Sequence, residues 1–116
     1  MENIIIWHNP RCRKSREGLQ YLKDKGIEPE IYEYLKAGID ADELARLIKM
    51  TGQPVEDFIR TNEADYKKLE LKGKELSIEE FATIAAEYPK LLQRPILVKG
   101  NKAVLGQPKD RVERIL

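Results

Sequence analysis

Ile4-Ile5-Ile6-Trp7-His8-Asn9-Pro10-Arg11-Cys12-Arg13-Lys14-Ser15-Arg16 is the stretch whose reading decides the fold. Its first residues form an apolar run with no polar alternate, the pattern of a strand covered on both faces of a sheet, so a strand is expected over residues 3–7. Pro10 cannot donate to a ladder and sets a turn. Beyond the turn, Leu19 and Leu22 share one face of a helical pattern, which should run to about Lys25 and stop at Gly26. Glu30 to Leu35, with the β-formers Ile31, Tyr32 and Tyr34, reads as a second strand. Strand, helix and strand at this spacing make a right-handed βαβ unit with parallel strands. The turn before the helix then lies at the C-terminal edge of its strand, where open α/β sheets place their ligands.

Outward from that unit, residues 36–93 carry helices and turns without a convincing strand. Asp40 or Asp42 can cap a helix that has Leu44, Leu47 and Ile48 on one face and ends before Gly52. Pro54 opens a short turn through Phe58 and Ile59, and Ala64 to Leu71 is a weaker helix. Ser77 and Glu80 form a capping box, with Leu76 against Phe81 as its hydrophobic staple, and the helix should end before Pro89. Sheet resumes at Pro95-Ile96-Leu97-Val98, turns at Gly100-Asn101 and returns through Ala103-Val104-Leu105, a β-hairpin. Pro108 suits the first turn of a last helix, with Val112, Ile115 and Leu116 facing inward. The expected architecture is α/β: a small mixed sheet in one domain over residues 1–116. A helical insertion, approximately 36–93, separates the N-terminal βαβ unit from the C-terminal hairpin and helix.

Cys12 is the one cysteine in the chain. It falls at the first turn of the helix, where free N–H groups and the positive end of the helix dipole favour a thiolate and can receive an oxyanion. Arg11, Arg13, Lys14 and Arg16 add positive charge, and the Ser15 hydroxyl is expected to hydrogen-bond the sulfur. A lone cysteine is otherwise commonly a small buried hydrophobe. Here every neighbour from Arg11 to Glu17 is polar or charged, which opposes a core position, so Cys12 is read as a nucleophile. His8, four residues earlier, has two readings: a polar residue at a strand end, or a group that tunes the thiolate. There is no Cys-x-x-Cys motif and no Cys-x5-Arg motif, and no glycine-rich P-loop. A monothiol cannot close its own disulfide, so a redox cycle needs an outside thiol.

Composition narrows the classes further. A net charge of +1 argues against a nucleic-acid binder driven by bulk electrostatics. No apolar run approaches the roughly 20 residues of a membrane span, and the first strand is too short for a signal-peptide core. One cysteine and one histidine leave no conventional metal site and suit a reducing, cytoplasmic setting.

His-Asn-Pro-x-Cys-x-x-Ser-Arg after an apolar strand resembles the active-site segment of the glutaredoxin-linked arsenate reductases, in the thioredoxin-like superfamily. The likeness extends over nearly the whole chain, including Leu91-Leu92-Gln93-Arg94-Pro95-Ile96-Leu97-Val98. It implies a thioredoxin-like fold and an oxidoreductase with Cys12 as nucleophile. Arg60 and Arg94 would be oxyanion-binding residues; each alone would otherwise read as a solvated surface charge. It also implies a cis Pro95 beside the cysteine, with Asn9 and Arg16 as further candidate contributors. The substrate implied is arsenate or a similar oxyanion. Glutathione is the co-substrate that attacks the adduct, and glutaredoxin the partner that resolves the mixed disulfide. No bound cofactor is implied, nor a nucleic-acid or membrane partner. The sequence departs from the arsenate-reducing pattern at one place: Gln107 stands where those proteins usually carry a third arginine. Two other functions stay open: a monothiol enzyme using glutathione on a different substrate, and a regulatory, protein-interacting member of the superfamily.

Overall fold

A computed structural model describes residues 3–106 and 109–116. A four-stranded sheet forms its centre, with strands β1 (Ile4–Trp7), β2 (Glu30–Tyr32), β3 (Ile96–Lys99) and β4 (Lys102–Leu105). Their spatial order is β2-β1-β3-β4. β1 runs parallel to β2 and antiparallel to β3, and β3 runs antiparallel to β4, so the sheet is mixed. The right neighbours for β1 are set by register: Ile6 stands opposite Ile31 on one side and Leu97 on the other.

Strand alternation explains why β1 needs apolar residues at every position. Ile4 and Ile6, with Leu97 and Val104, pack against Leu22 of helix α1 (Arg13–Asp24) and against Val112 and Ile115 near the C-terminus. Trp7, Ile96, Val98, Ala103 and Leu105 face the opposite layer. That layer is built from helices α3 (Ala41–Thr51) and α5 (Ile78–Glu87), with Leu44, Leu47, Ile48, Phe81 and Ala85 buried in it. Fully burying each such Leu, Ile or Phe stabilises the fold by about 1.5–3 kcal/mol, so both layers are needed to hold β1 in place.

Local signals fixed several ends as expected. Asp40 caps α3 by accepting from the Asp42 N–H, and Gly52 ends that helix in the left-handed region. Ser77 and Glu80 make the reciprocal capping box of α5. Leu76 joins the same apolar cluster as Phe81.

Three expectations need correction. β2 stops at Tyr32 and does not continue to Leu35; Tyr34–Ala37 instead forms a short helix, α2. The cause is tertiary: the turn drives Tyr34 into the core, where it is fully buried and stacks at 6.0 Å on Trp7. The helix beginning at Ala64, α4, ends at Lys68 and not at Leu71. Glu70 adopts φ +54° and turns the chain so that Leu71 enters the core. Finally, Lys109–Ile115 is 3-10 helix, and only Val112 and Ile115 of the expected inward residues are buried; Leu116 is 42% exposed. With about three residues per turn, a 3-10 helix lines up positions three apart, which suits 112 and 115 and leaves 116 outside. Gln107 and Pro108 lie outside the described residues.

Candidate active site

Cys12 occupies the N-cap of α1, with extended backbone dihedrals (φ −95°, ψ 122°). Two hydrogen bonds accepted by Asn9 shape the loop that delivers it. The Asn9 carbonyl accepts from Cys12 N–H at 3.0 Å, and Asn9 Oδ1 accepts from Arg11 N–H at 3.0 Å. Arg16 ties the loop from outside, donating from Nη1 to the Pro10 carbonyl at 3.0 Å. Asparagine suits this place because its short side chain closes an Asx turn on the backbone two residues ahead.

The thiol is half-buried, and its pKa lies below the ordinary value. Burial pushes it up. The guanidinium of Arg94, hydrogen-bonded to the sulfur, and the backbone N–H groups of Ser15 and Lys14 outweigh that and hold it down. Those N–H groups belong to the third and second residues of α1, which have no carbonyl partner inside the helix. The sulfur lies at the N-cap without the direct capping hydrogen bond that a serine oxygen makes there, so these N–H groups act on it through the field of the helix start.

The cation that matters most to the thiol is therefore Arg94, 82 residues away in sequence, ahead of the basic residues flanking Cys12. Arg94 is only 6% exposed. Its Nη1 donates to the Tyr34 hydroxyl at 3.3 Å and to the Leu92 carbonyl at 3.4 Å. The Arg94–Pro95 peptide is cis. Pro95 in turn packs on two glycines. A Cβ on Gly18 would stand 2.7 Å from Pro95 Cγ, and one on Gly106 would stand 2.9 Å from the same atom. Helix α1 can approach the Pro95 loop closely enough for Arg94 to meet Cys12 because position 18 carries no side chain.

Ser15 departs from its expected role. Its hydroxyl does not bond the sulfur. It accepts from Asn9 N–H at 3.0 Å and pairs with His8 Nδ1 at 2.8 Å, fully buried beneath the loop. The contribution of Ser15 to the thiolate comes from its backbone N–H. His8 is 5% exposed, and burial lowers its pKa; Glu33 works against this, while Arg16 and Lys23 add to it. A neutral imidazole fits the pairing with Ser15, whose hydroxyl can donate to Nδ1 while accepting from Asn9.

A cleft of about 280 Å³ opens beside the sulfur, lined by Cys12, Arg13, Lys14, Arg60, Thr61 and Gln93 among others. Arg60, one of these lining residues, is ion-paired with Glu63, Nη1 to Oε1 at 2.6 Å, with both side chains about one-quarter exposed. An anion entering the cleft would meet the backbone N–H groups of α1 and the guanidinium of Arg60. Cys12, Arg60 and Arg94 are thus gathered at one place, whereas Gln107 lies outside the described residues. Among the described residues there is no group of three or more His, Cys, Asp or Glu that could hold a metal ion.

Tyr34, Gly18 and Gly106 escaped the sequence reading. Tyr34 looked like a strand residue, and the two glycines act through a proline distant in sequence. A glycine inside an otherwise good helical pattern was the one signal available for Gly18.

The profile of the ArsC family matches residues 7–115, a span that includes every residue of this site. This chain belongs to the ArsC family. It is 40% identical to an arsenate reductase of Haemophilus influenzae, over 98% of this chain and 99% of that one. It is also 40% identical to the uncharacterized protein YfgD of Escherichia coli, over 99% and 98% of the two chains. Among solved structures it resembles an arsenate reductase from Vibrio cholerae, with a TM-score of 0.89 and 39% identity over 99% and 98% of the two chains. The sheet order and the cis-proline loop of this ArsC-family chain are therefore those of the thioredoxin-like fold. No helix among its described residues is long and apolar enough to cross a membrane.

Proposed function

We propose that this ArsC-family protein is an oxidoreductase that reduces arsenate to arsenite through a covalent intermediate on Cys12. The observation that carries the reading is the thiol itself: half-buried at the head of α1, held toward the thiolate by Arg94 and two backbone N–H groups, and lining one cleft with Arg60. The thiolate attacks arsenic, and one arsenate oxygen leaves as water. Arg94, Arg60 and the free N–H groups carry the negative charge on the remaining oxygens. An external thiolate, glutathione, then attacks the Cys12 sulfur. The S–As bond breaks with its electron pair going to arsenic, which passes from the pentavalent to the trivalent state. A Cys12–glutathione disulfide remains, and glutaredoxin reduces it. The single cysteine supports a route through outside thiols.

A second reading, a glutathione-dependent monothiol enzyme for another oxyanion, is favoured by Gln107. Glutamine donates hydrogen bonds but brings no positive charge. Arsenate-dependent NADPH oxidation, coupled through glutathione reductase, glutathione and glutaredoxin, separates the two. The parent should turn over slowly, Gln107→Arg faster, and Cys12→Ser not at all. A charge-assisted hydrogen bond is worth about 1.5–3 kcal/mol, so the gain in kcat/KM should be about tenfold to a hundredfold. Absence of turnover in both the parent and Gln107→Arg, with Cys12 still open to alkylation, would overturn the arsenate reading and leave a monothiol site with a different substrate or a protein partner.

A further inference from the structure

A second hollow lies next to the Cys12 cleft. Thr61, part of the cleft's lining, also lines this hollow of about 440 Å³, whose other walls are Tyr66, Lys67, Glu70 and Lys72. Its volume is within the range of small-molecule sites. Lys67, Glu70 and Lys72 are exposed, and among the described residues none of the three enters an ion pair. The hollow therefore offers two uncommitted cations and one uncommitted anion around a tyrosine ring, one residue away from the Cys12 cleft.

The backbone singles out Glu70. Helix α4 ends in a paired terminator: Leu71 N–H donates to the Tyr66 carbonyl at 3.2 Å and Glu70 N–H to the Lys67 carbonyl at 3.0 Å. The left-handed position of this motif normally holds glycine, and Glu70 holds it here with φ +54°. Glycine would fit better, so the carboxylate is present at a conformational cost. A role for the side chain in the hollow accounts for it.

We propose that this hollow seats the outside thiol of the reaction proposed above, glutathione, a zwitterion with two carboxylates and one ammonium whose charges match those of the lining. Lys67 and Lys72 receive the carboxylates, Glu70 receives the ammonium, and the Tyr66 ring covers the apolar stem. The sulfur end passes Thr61 to reach Cys12. There the thiolate attacks the Cys12 sulfur of an adduct. The bond to the leaving group breaks, the electron pair departs with that group, and a disulfide to Cys12 forms. The inference rests on Cys12 being the reacting thiol and adds where its reductant binds.

The test needs no arsenate. Cys12 is converted to its mixed disulfide with thionitrobenzoate, and release of the thionitrobenzoate anion is followed with glutathione and with uncharged 2-mercaptoethanol. For the parent, the glutathione rate should saturate and should fall with added salt. In Lys67→Ala/Lys72→Ala the ratio of the glutathione rate to the 2-mercaptoethanol rate should drop about fivefold, and charge reversal at both lysines should lower it further. The 2-mercaptoethanol rate should stay within about twofold of the parent, reporting an intact Cys12 loop. Glu70→Gly should raise the melting temperature, because glycine suits the left-handed position, and yet weaken saturation by glutathione. A purely structural Glu70 would give the first effect without the second. An unchanged rate ratio in both lysine variants, or glutathione saturation unaffected by Glu70→Gly, would overturn the proposal and leave the arsenate reading standing. Failure of arsenate turnover would in turn leave this test readable.

Discussion

The Ser15 hydroxyl faces His8, not Cys12: its oxygen lies 2.8 Å from the imidazole Nδ1 and accepts from Asn9 N–H at 3.0 Å. One buried hydroxyl thus joins the end of β1 to the first turn of α1 and sets the curvature of the loop between them. Ser15→Ala should cost about 1–3 kcal/mol of stability, because it leaves a buried N–H and an imidazole nitrogen without partners. The direct stabilisation of the thiolate by the Ser15 backbone N–H should survive. Urea unfolding read beside the pH dependence of Cys12 alkylation separates the two: the midpoint in urea should shift clearly and the alkylation midpoint only slightly. A large rise in the thiol pKa with unchanged stability would place the hydroxyl on the sulfur after all.

His8 carries the pH signature of that arrangement. Its folded pKa lies below the ordinary value of 6.5, chiefly through burial. The unfolded chain therefore takes up a proton on His8 at higher pH than the folded protein does. The stability tied to neutral His8 is fully present above the unfolded value, falls as pH drops through it, and levels off below the folded value. The stability difference between the parent and His8→Gln should accordingly shrink between about pH 7.5 and pH 5. Urea unfolding at the two pH values measures it, and a difference that grows on acidification would mean a charged, partnered imidazole.

Arg94 is the side chain on which the thiolate most depends. Arg94→Lys keeps the charge but loses the planar fork that meets the Tyr34 hydroxyl, the Leu92 carbonyl and the sulfur together. The Cys12 pKa should rise in Arg94→Lys and rise further in Arg94→Ala. Thiolate absorbance titration would show the order, and an unchanged midpoint in Arg94→Ala would reassign the thiolate's stabilisation to the helix start alone.

Gly18 links packing to that chemistry. Gly18→Ala improves helix propensity by about 1 kcal/mol but drives a methyl to 2.7 Å from Pro95 Cγ, a ring atom with little room to yield. Overpacking of this kind costs about 1–3 kcal/mol, so the net change should be destabilising. The same displacement moves Arg94 from the sulfur, so alkylation should slow at neutral pH. A more stable, equally reactive Gly18→Ala would show that the helix and the proline loop are not in tight contact.

The parts of the fold legible in the sequence were those fixed locally. The capping box at Ser77 and Glu80, the glycine after α3 and the apolar alternation of the hairpin each depend on neighbours within a few residues. Tyr34 was misread because its partners, Trp7 and Arg94, come from other elements, and its own β-propensity pointed to strand. Ser15 was misread for a related reason. A hydroxyl three residues from a sulfur is within reach of it, but His8, seven residues back, competes for the same oxygen once β1 and α1 are packed. The cysteine at a helix start was legible; the arginine that sets its ionisation was reached through resemblance, since nothing near residue 94 declares a contact with residue 12.

Reduction through Cys12 requires that arsenate make this cysteine accept an outside thiol. The protein is incubated with arsenate and glutathione, without glutaredoxin, and its intact mass is followed. A single glutathione adduct on Cys12 should accumulate only when arsenate is present, be removed by glutaredoxin, and be absent in Cys12→Ser. Cys12 that alkylates readily as a thiolate but gains no glutathione in response to arsenate would contradict that route.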